Sequence, residues 1–349
     1  QRMGEALLNE DPSVRKAVAG IMAEIDEKLA ASDRLDERME LSKKLADWVK
    51  FETAVTKEFE KVTGQMQQLS QELIENGREQ DAEQILEAYH LVAQGNLEKD
   101  EAIQALAGNM LQNIATDAIL DTLLKEKKSG QNRPKDDIYS LVILGSTTVE
   151  RLLDRLYESR NMSERNRIIQ AIGRIGEPAL GPVMERLNQG GPWYYVRNLE
   201  LLLGRLGNEK HLPALAPMLR HADYRVQLEA IKSIQNIGGS EAGRILYEHI
   251  DIVAEQLKGY MASVLGAMQY RPAAPHLIDL LKSRATGKTK AERAEIQEKI
   301  CEALGRMRAK EAETELENVV RSKGLWGRKN YPENVRSAAA RALGNIKRE

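Results

Sequence analysis

The chain has a single cysteine in 349 residues, Cys301, so neither an intramolecular disulfide nor a multi-cysteine metal site can form. Aromatic residues are scarce at 4%, with Phe51 and Phe59 the only phenylalanines. Sheet proteins lean on aromatic and β-branched side chains, so this scarcity argues against a β fold. No apolar run approaches the ~20 residues that span a bilayer, and no basic-then-apolar leader opens the sequence. A cytoplasmic chain is the expectation. Gln1 stands where a Met would open a complete chain, which leaves an upstream segment open.

What is present points to helices. Hydrophobic residues make up 42% and charged residues 30%, with Leu, Ala, Ile, Glu, Lys and Arg prominent. The net charge is −2 but unevenly placed. Residues 1–134 hold 17 Lys/Arg against 26 Asp/Glu, giving −9; residues 135–349 hold 34 against 27, giving +7. That polarity is too mild to announce a nucleic-acid binder.

A period organises the second part. Tyr139-Ser-Leu-Val-Ile-Leu-Gly145, Gln170-Ala-Ile-Gly-Arg-Ile-Gly176 and Leu201-Leu-Leu-Gly-Arg-Leu-Gly207 are copies of one unit. Lys232-Ser-Ile-Gln-Asn-Ile-Gly238 and Ser263-Val-Leu-Gly-Ala-Met-Gln269 continue it. The anchors Val142, Gly173, Gly204, Gln235 and Gly266 are 31 residues apart. Gly305 and Gly344 follow at steps of 39, so each of those steps carries an insertion of about eight residues.

Apolar residues stand one before, two after and five before the anchor, as in Leu203, Leu206 and Leu199. Those offsets share one stripe of a helix. A small anchor lets a neighbouring helix approach closely. A second amphipathic stripe follows each first one, for example Leu212, Leu215, Met218 and Leu219. Pro178, Pro182, Pro213, Pro217 and Pro275 fall near the starts of these second helices, where a missing N–H costs little. Pro217 lies deeper and should kink its helix. One copy cannot bury enough surface to fold alone, so the copies must stack. The expected fold is all-α, an α-solenoid: a right-handed superhelix of antiparallel helix pairs, regular over 135–349 and irregular over 1–134.

Val335-Arg-Ser-Ala-Ala-Ala-Arg-Ala-Leu-Gly-Asn-Ile346 resembles the HEAT-like repeat of the phycobilisome-lyase type, whose units read roughly Val-Arg-x-x-Ala-x-x-Ala-Leu-Gly-x-Ile. Val14-Arg-Lys-Ala-Val-Ala-Gly-Ile-Met-Ala-Glu-Ile25 is similar but lacks the anchor glycine. The resemblance covers residues ~135–349 well and the first ~30 loosely. It implies a binding scaffold, since enzymes are a minority in that family. Between these stretches, helices are expected over about Asp33–Glu60, Thr63–Glu75, Asp81–Gln94 and Lys99–Lys127, with a soft boundary at Ser129–Pro134.

A search for catalytic or metal chemistry finds little. The deoxyhypusine hydroxylase branch of HEAT-like enzymes binds iron through His-Glu dipeptides. None occurs among His90, His211, His221, His249 and His276, and Glu248-His249 reverses the order. Gly287-Lys-Thr289 lacks the earlier glycine of a phosphate-binding loop, as Lys282 occupies that position. Cys301 sits in an apolar helical pattern as a plain buried thiol, and no nucleophile has a base beside it. Nothing beyond the repeats supports bilin-lyase activity. The chain reads as a non-enzyme with no cofactor and no metal.

Two features suggest partner binding. Trp193, Tyr194 and Tyr195 are consecutive in an aromatic-poor chain, with Arg197 and Asn198 beside them, the composition of an interface hot spot. Consecutive residues cannot all face one side of a helix, so at least one ring should be exposed. The two insertions agree in sign. Lys282, Arg284, Lys288, Lys290 and Arg293 lie in the first, with one acidic residue; Arg321, Lys323, Arg328 and Lys329 surround Trp326 in the second. Both should emerge from one edge of the solenoid and form a positive patch. The function expected is a scaffold whose partner is a protein, with an acidic surface fitting the patch. The alternative is a solenoid that binds nucleic acid or another polyanion, as repair-glycosylase-like HEAT proteins do. Self-association through the acidic amino half of a second copy fits the charge polarity. No membrane partner is expected.

Overall fold

The computed structural model describes residues 2–125, 138–283, 287, 289–322 and 331–347. Among these, every regular element is a helix. The chain divides into two compact units, Gln1–Pro182 and Val183–Glu349.

The first unit runs α1 (Arg2–Ala6), α2 (Pro12–Ala31), α3 (Leu35–Phe51), α4 (Lys57–Glu75) and α5 (Glu79–Ala93). It continues with α6 (Glu101–Ile114), α7 (Asp117–Leu124), α8 (Tyr139–Leu144), α9 (Val149–Glu158) and α10 (Met162–Ile175). The helix α11 (Leu180–Gln189) holds the division between units. In this unit α3, α5, α8 and α10 stand side by side in one row, while α2, α4 and α6–α7 form the other. The Val14–Ile25 copy, which reads as a first helix, therefore lies in the second-helix row. Its buried stripe is Arg15, Ala19, Met22, Ala23 and Asp26, and two of those are charged. The Arg15 guanidinium donates to both oxygens of Glu52 at 3.1 Å. Arg38 donates to Asp26 at 3.2 and 3.4 Å and to Glu72 at 2.7 Å. Burial pushes the Glu52 carboxyl up, but hydrogen bonds from Arg15, the Thr53 N–H and Trp48, with the Arg15 charge, together hold it below the usual range. Such pairs orient helices more than they stabilise them, although removing one partner would strand a buried charge.

Two expected long helices are each broken. The stretch 33–60 divides after Phe51, where Glu52 turns extended (φ −66°, ψ 143°) and Thr56 caps α4 by accepting from Phe59 N–H at 3.2 Å. The stretch 99–127 divides at Ala115, and Thr116 caps α7 by accepting from Ile119 N–H. A threonine hydroxyl supplies a partner for an orphan N–H, so a new helix starts there although the apolar pattern continues.

The second unit alternates first helices with second ones. The first helices are α12 (Trp193–Leu206), α14 (Tyr224–Ile237), α16 (Lys258–Ala267), α18 (Lys290–Met307) and α20 (Glu333–Ile346). The second helices are α11, α13 (Leu212–Leu215), α15 (Gly239–His249), α17 (Ala274–Lys282) and α19 (Glu313–Arg321). The residue five before the anchor is fully buried in the later copies: Ile168, Leu199, Ala230, Met261, Ile300 and Ala339. A Cβ added at Gly204 would lie 2.6 Å from Ser233; one at Gly266 or Gly305 would lie 2.7 Å from the Cα of Ala303 or Ala342. At Gly204, Gly266 and Gly305 the anchor thus admits the next first helix, as its sequence position implies. Beyond α13, Pro217 has no N–H to donate to the Pro213 carbonyl, and Ala216–Arg220 is wound as a 3-10 segment. The effect of Pro217 that the structure shows is this change of helix type.

These paired helices, repeating with their anchors in register, make the chain an all-α HEAT-like solenoid. No described helix is long and apolar enough to cross a membrane.

Candidate functional site

The aromatic run opens α12, and helical geometry separates its rings. Tyr195 is buried at 2% exposure, while Trp193 and Tyr194 are half-buried with centroids 6.1 Å apart, edge to face. The Arg225 guanidinium of α14 lies 3.3 Å above the Trp193 ring and is held there by Asp223, with Arg225–Asp223 contacts of 2.6 and 3.0 Å. Asp223 also caps α14 through the N–H of Arg225, and its carboxyl is held down to about 2, chiefly by the Arg225 side chain. Trp193 therefore clamps one repeat onto the next through a cation–π contact. Asn198 is buried and accepts from half-buried Arg197 at 3.1 Å.

One turn further along α12 lies Glu200, fully buried, with neither carboxylate oxygen hydrogen-bonded. Burial first, then the nearby Glu229 charge, pushes its carboxyl up to about 9 against the opposing pull of Arg197. The position four before the anchor explains how foreign it is. Ile138, Ile169, Ile231, Ala262 and Cys301 occupy that position in five other copies, all apolar and buried, and the last copy has Ala340, apolar but exposed. The signal was present in the repeat register and escaped a reading centred on apolar stripes. Beside Glu200, the Ser233 hydroxyl donates to its carbonyl at 2.8 Å and Asn236 donates to the Gly204 carbonyl at 2.6 Å. A cleft of about 250 Å³ opens there between Arg205, Glu229 and Lys232.

A larger groove, about 440 Å³, lies on the second-helix side between the 3-10 segment and α15. Pro213, Ala216, Pro217 and Ile245 line it, with Arg220, Arg244 and His249 among the polar walls. The Arg244 guanidinium is bracketed by Glu241 and Glu248 on its own helix, which raises its pKa further. Pro217 shapes this groove, since the 3-10 segment is narrower than an α-helix.

The insertions are less free than their charge suggests. Lys282 pairs with Asp279 at 2.8 Å, and Arg321 with Glu317 at 3.3 Å. Lys290 is exposed in the first turn of α18 and Arg293 is half-buried. The Gly287 N–H donates to Glu255 at 2.8 Å, and Thr289 and Glu292 form a reciprocal cap on α18. Arg284, Lys288, Lys323, Trp326, Arg328 and Lys329 lie outside the described residues.

Among the described residues no three His, Cys, Asp or Glu side chains are grouped so as to hold a metal. Cys301 is buried, and burial pushes its thiol up to about 12. Burial lowers the pKa of His90, and His276 pairs with Asp251 at 3.1 Å.

No protein-family model and no curated protein matches the chain. Among solved structures, human deoxyhypusine hydroxylase in complex with glycerol is similar at 18% identity and a TM-score of 0.34, over 76% of this chain and 97% of that one. The karyopherin Kap121p bound to the SUMO protease Ulp1p aligns at 12% identity and a TM-score of 0.39, over 99% of this chain. The chain spans 41% of that karyopherin's length. A homology model of the full-length AP-3 complex aligns at 13% identity and a TM-score of 0.42, over 98% of this chain and 70% of that one.

Proposed function

We propose that the chain is a non-catalytic scaffold holding another protein on the surface lined by its second helices. The motif Val335–Ile346 supports placing its repeats with the phycobilisome-lyase type. The groove beside Pro217 carries the reading. It joins an apolar floor to charged walls, the pattern of a recognition site with orienting polar groups. A substitution there should act on binding alone. Ala216→Arg fills the groove from a half-buried position, and Arg220→Glu reverses one exposed wall residue. In affinity purification from the source cell, a partner held by the wild-type chain should fall at least tenfold with the double variant, a loss of about 1.4 kcal/mol. Equal recovery at an unchanged melting temperature would overturn the assignment to this groove.

The charge of the insertions supports a second reading, an anionic partner. Nine basic residues against one acidic stand in those two stretches. Reversal at Lys288, Lys290, Arg328 and Lys329 should weaken capture while leaving stability nearly unchanged. Wild-type binding should also fall steeply between 50 and 200 mM salt, roughly tenfold or more for a few neutralised charges. Salt-independent capture by both forms would remove the polyanion reading.

A further inference from the structure

The first helices of the second unit do not pack uniformly. α12 lies tightly against α14, α16 against α18, and α18 against α20. At each of these seams an anchor glycine faces a small residue two before the next anchor: Gly204 with Ser233, Gly266 with Ala303, Gly305 with Ala342. Between α14 and α16 the backbones stay apart. The anchor there is Gln235, and the residue in the partner register is Val264. Larger residues therefore occupy the two register positions at which the other seams bring backbone to backbone.

On the second-helix side of the same junction, aromatic rings make the contact. The Tyr270 ring lies against Gly243 of α15, where an added Cβ would be 2.5 Å from the ring. Tyr247 of α15 packs at 6.1 Å from Tyr270 and 6.0 Å from His276. Toward the first helices, Ala254 N–H donates to the Gln227 side chain at 2.7 Å, and Ile252 is 45% exposed nearby.

We infer that the junction between α14–α15 and α16–α17 is a built-in joint, pivoting on the Tyr247–Tyr270 contact and opening on the first-helix side. Glycine-on-alanine seams are stiff because backbone atoms meet in fixed geometry and any separation forfeits many dispersion contacts at once. A Gln against a Val leaves rotatable side chains that follow a changing gap. Hinges of this kind absorb motion at a few residues while the flanking layers stay rigid. Opening would change the spacing of the helices on either side and so adapt the solenoid to what it holds.

Pulsed electron paramagnetic resonance between nitroxide pairs tests this. Lys232 with Arg306 spans the junction plus one tight seam. Ser263 with Asn345 occupies the same two register positions and spans two tight seams. The native Cys301 thiol is buried and will not take label. The Lys232/Arg306 distance distribution should be at least twice as wide as the Ser263/Asn345 one. Equal widths, whether both narrow or both broad, would overturn the joint.

Discussion

Burial without hydrogen-bond partners favours the protonated form of a carboxyl group, and Glu200 meets that condition between α12 and α14. Glu229 adds to the effect and Arg197 opposes it. The linkage has a definite sign. Folding raises the Glu200 pKa from 4.5 to about 9, so the folded chain keeps a proton that the unfolded chain releases. The group's contribution to stability is intact below about pH 4.5 and declines as pH rises toward 9. At pH 7 the loss is on the order of 3 kcal/mol. Glu200→Gln removes the titration while keeping the shape. Urea unfolding at pH 5, 6, 7 and 8 should show the variant's advantage over wild type growing with pH. A difference constant across that range would mean that Glu200 is ionised in the folded chain. Trp193 shows the same dependence on neighbours: its half-buried ring lies beneath Arg225 of the next first helix.

At the scale of the helix, the anchor glycines behave according to what faces them. Gly305 meets the Cα of Ala342 at 2.7 Å from its added Cβ, whereas Gly344 in α20 meets nothing within 4 Å. One substitution should therefore have opposite signs at the two sites. Gly305→Ala should destabilise by about 1–3 kcal/mol, because backbone must move to admit the methyl. Gly344→Ala should stabilise by about 0.5–1 kcal/mol, through the lower chain entropy of Ala in a helix. Denaturation midpoints of the two variants decide it, and a shared sign would contradict the packing described. The helices also show why boundaries were hard to place from the chain alone. Thr56 and Thr116 are ordinary cap residues that also occur inside helices. Only the need of Glu52 to meet Arg15 and Trp48 shows why the backbone turns extended after Phe51.

For the whole molecule, the period of 31 and its two steps of 39 determined helix pairing, the stripes that are buried and the place of each anchor. These follow from local geometry: a stripe repeating at helical spacing can be satisfied only by burying that face. The odd residue Glu200 was equally legible once the copies were aligned, and so was Gln235 at the anchor of α14. What those residues do was not legible. Whether a carboxyl is ionised, whether a guanidinium covers a ring and how wide a seam stands depend on distances between residues tens of positions apart. Arg15 and Glu52 show this, and so do Gly266 with Ala303 and the Tyr270 ring against Gly243. The basic loops make the same point, since Asp279 and Glu317 reach Lys282 and Arg321 through helical turns that no charge count reveals. The repeat pattern dictated the architecture because it acts within one helix. Tertiary structure decided the site, because ionisation, stacking and seam width arise only where separate helices meet.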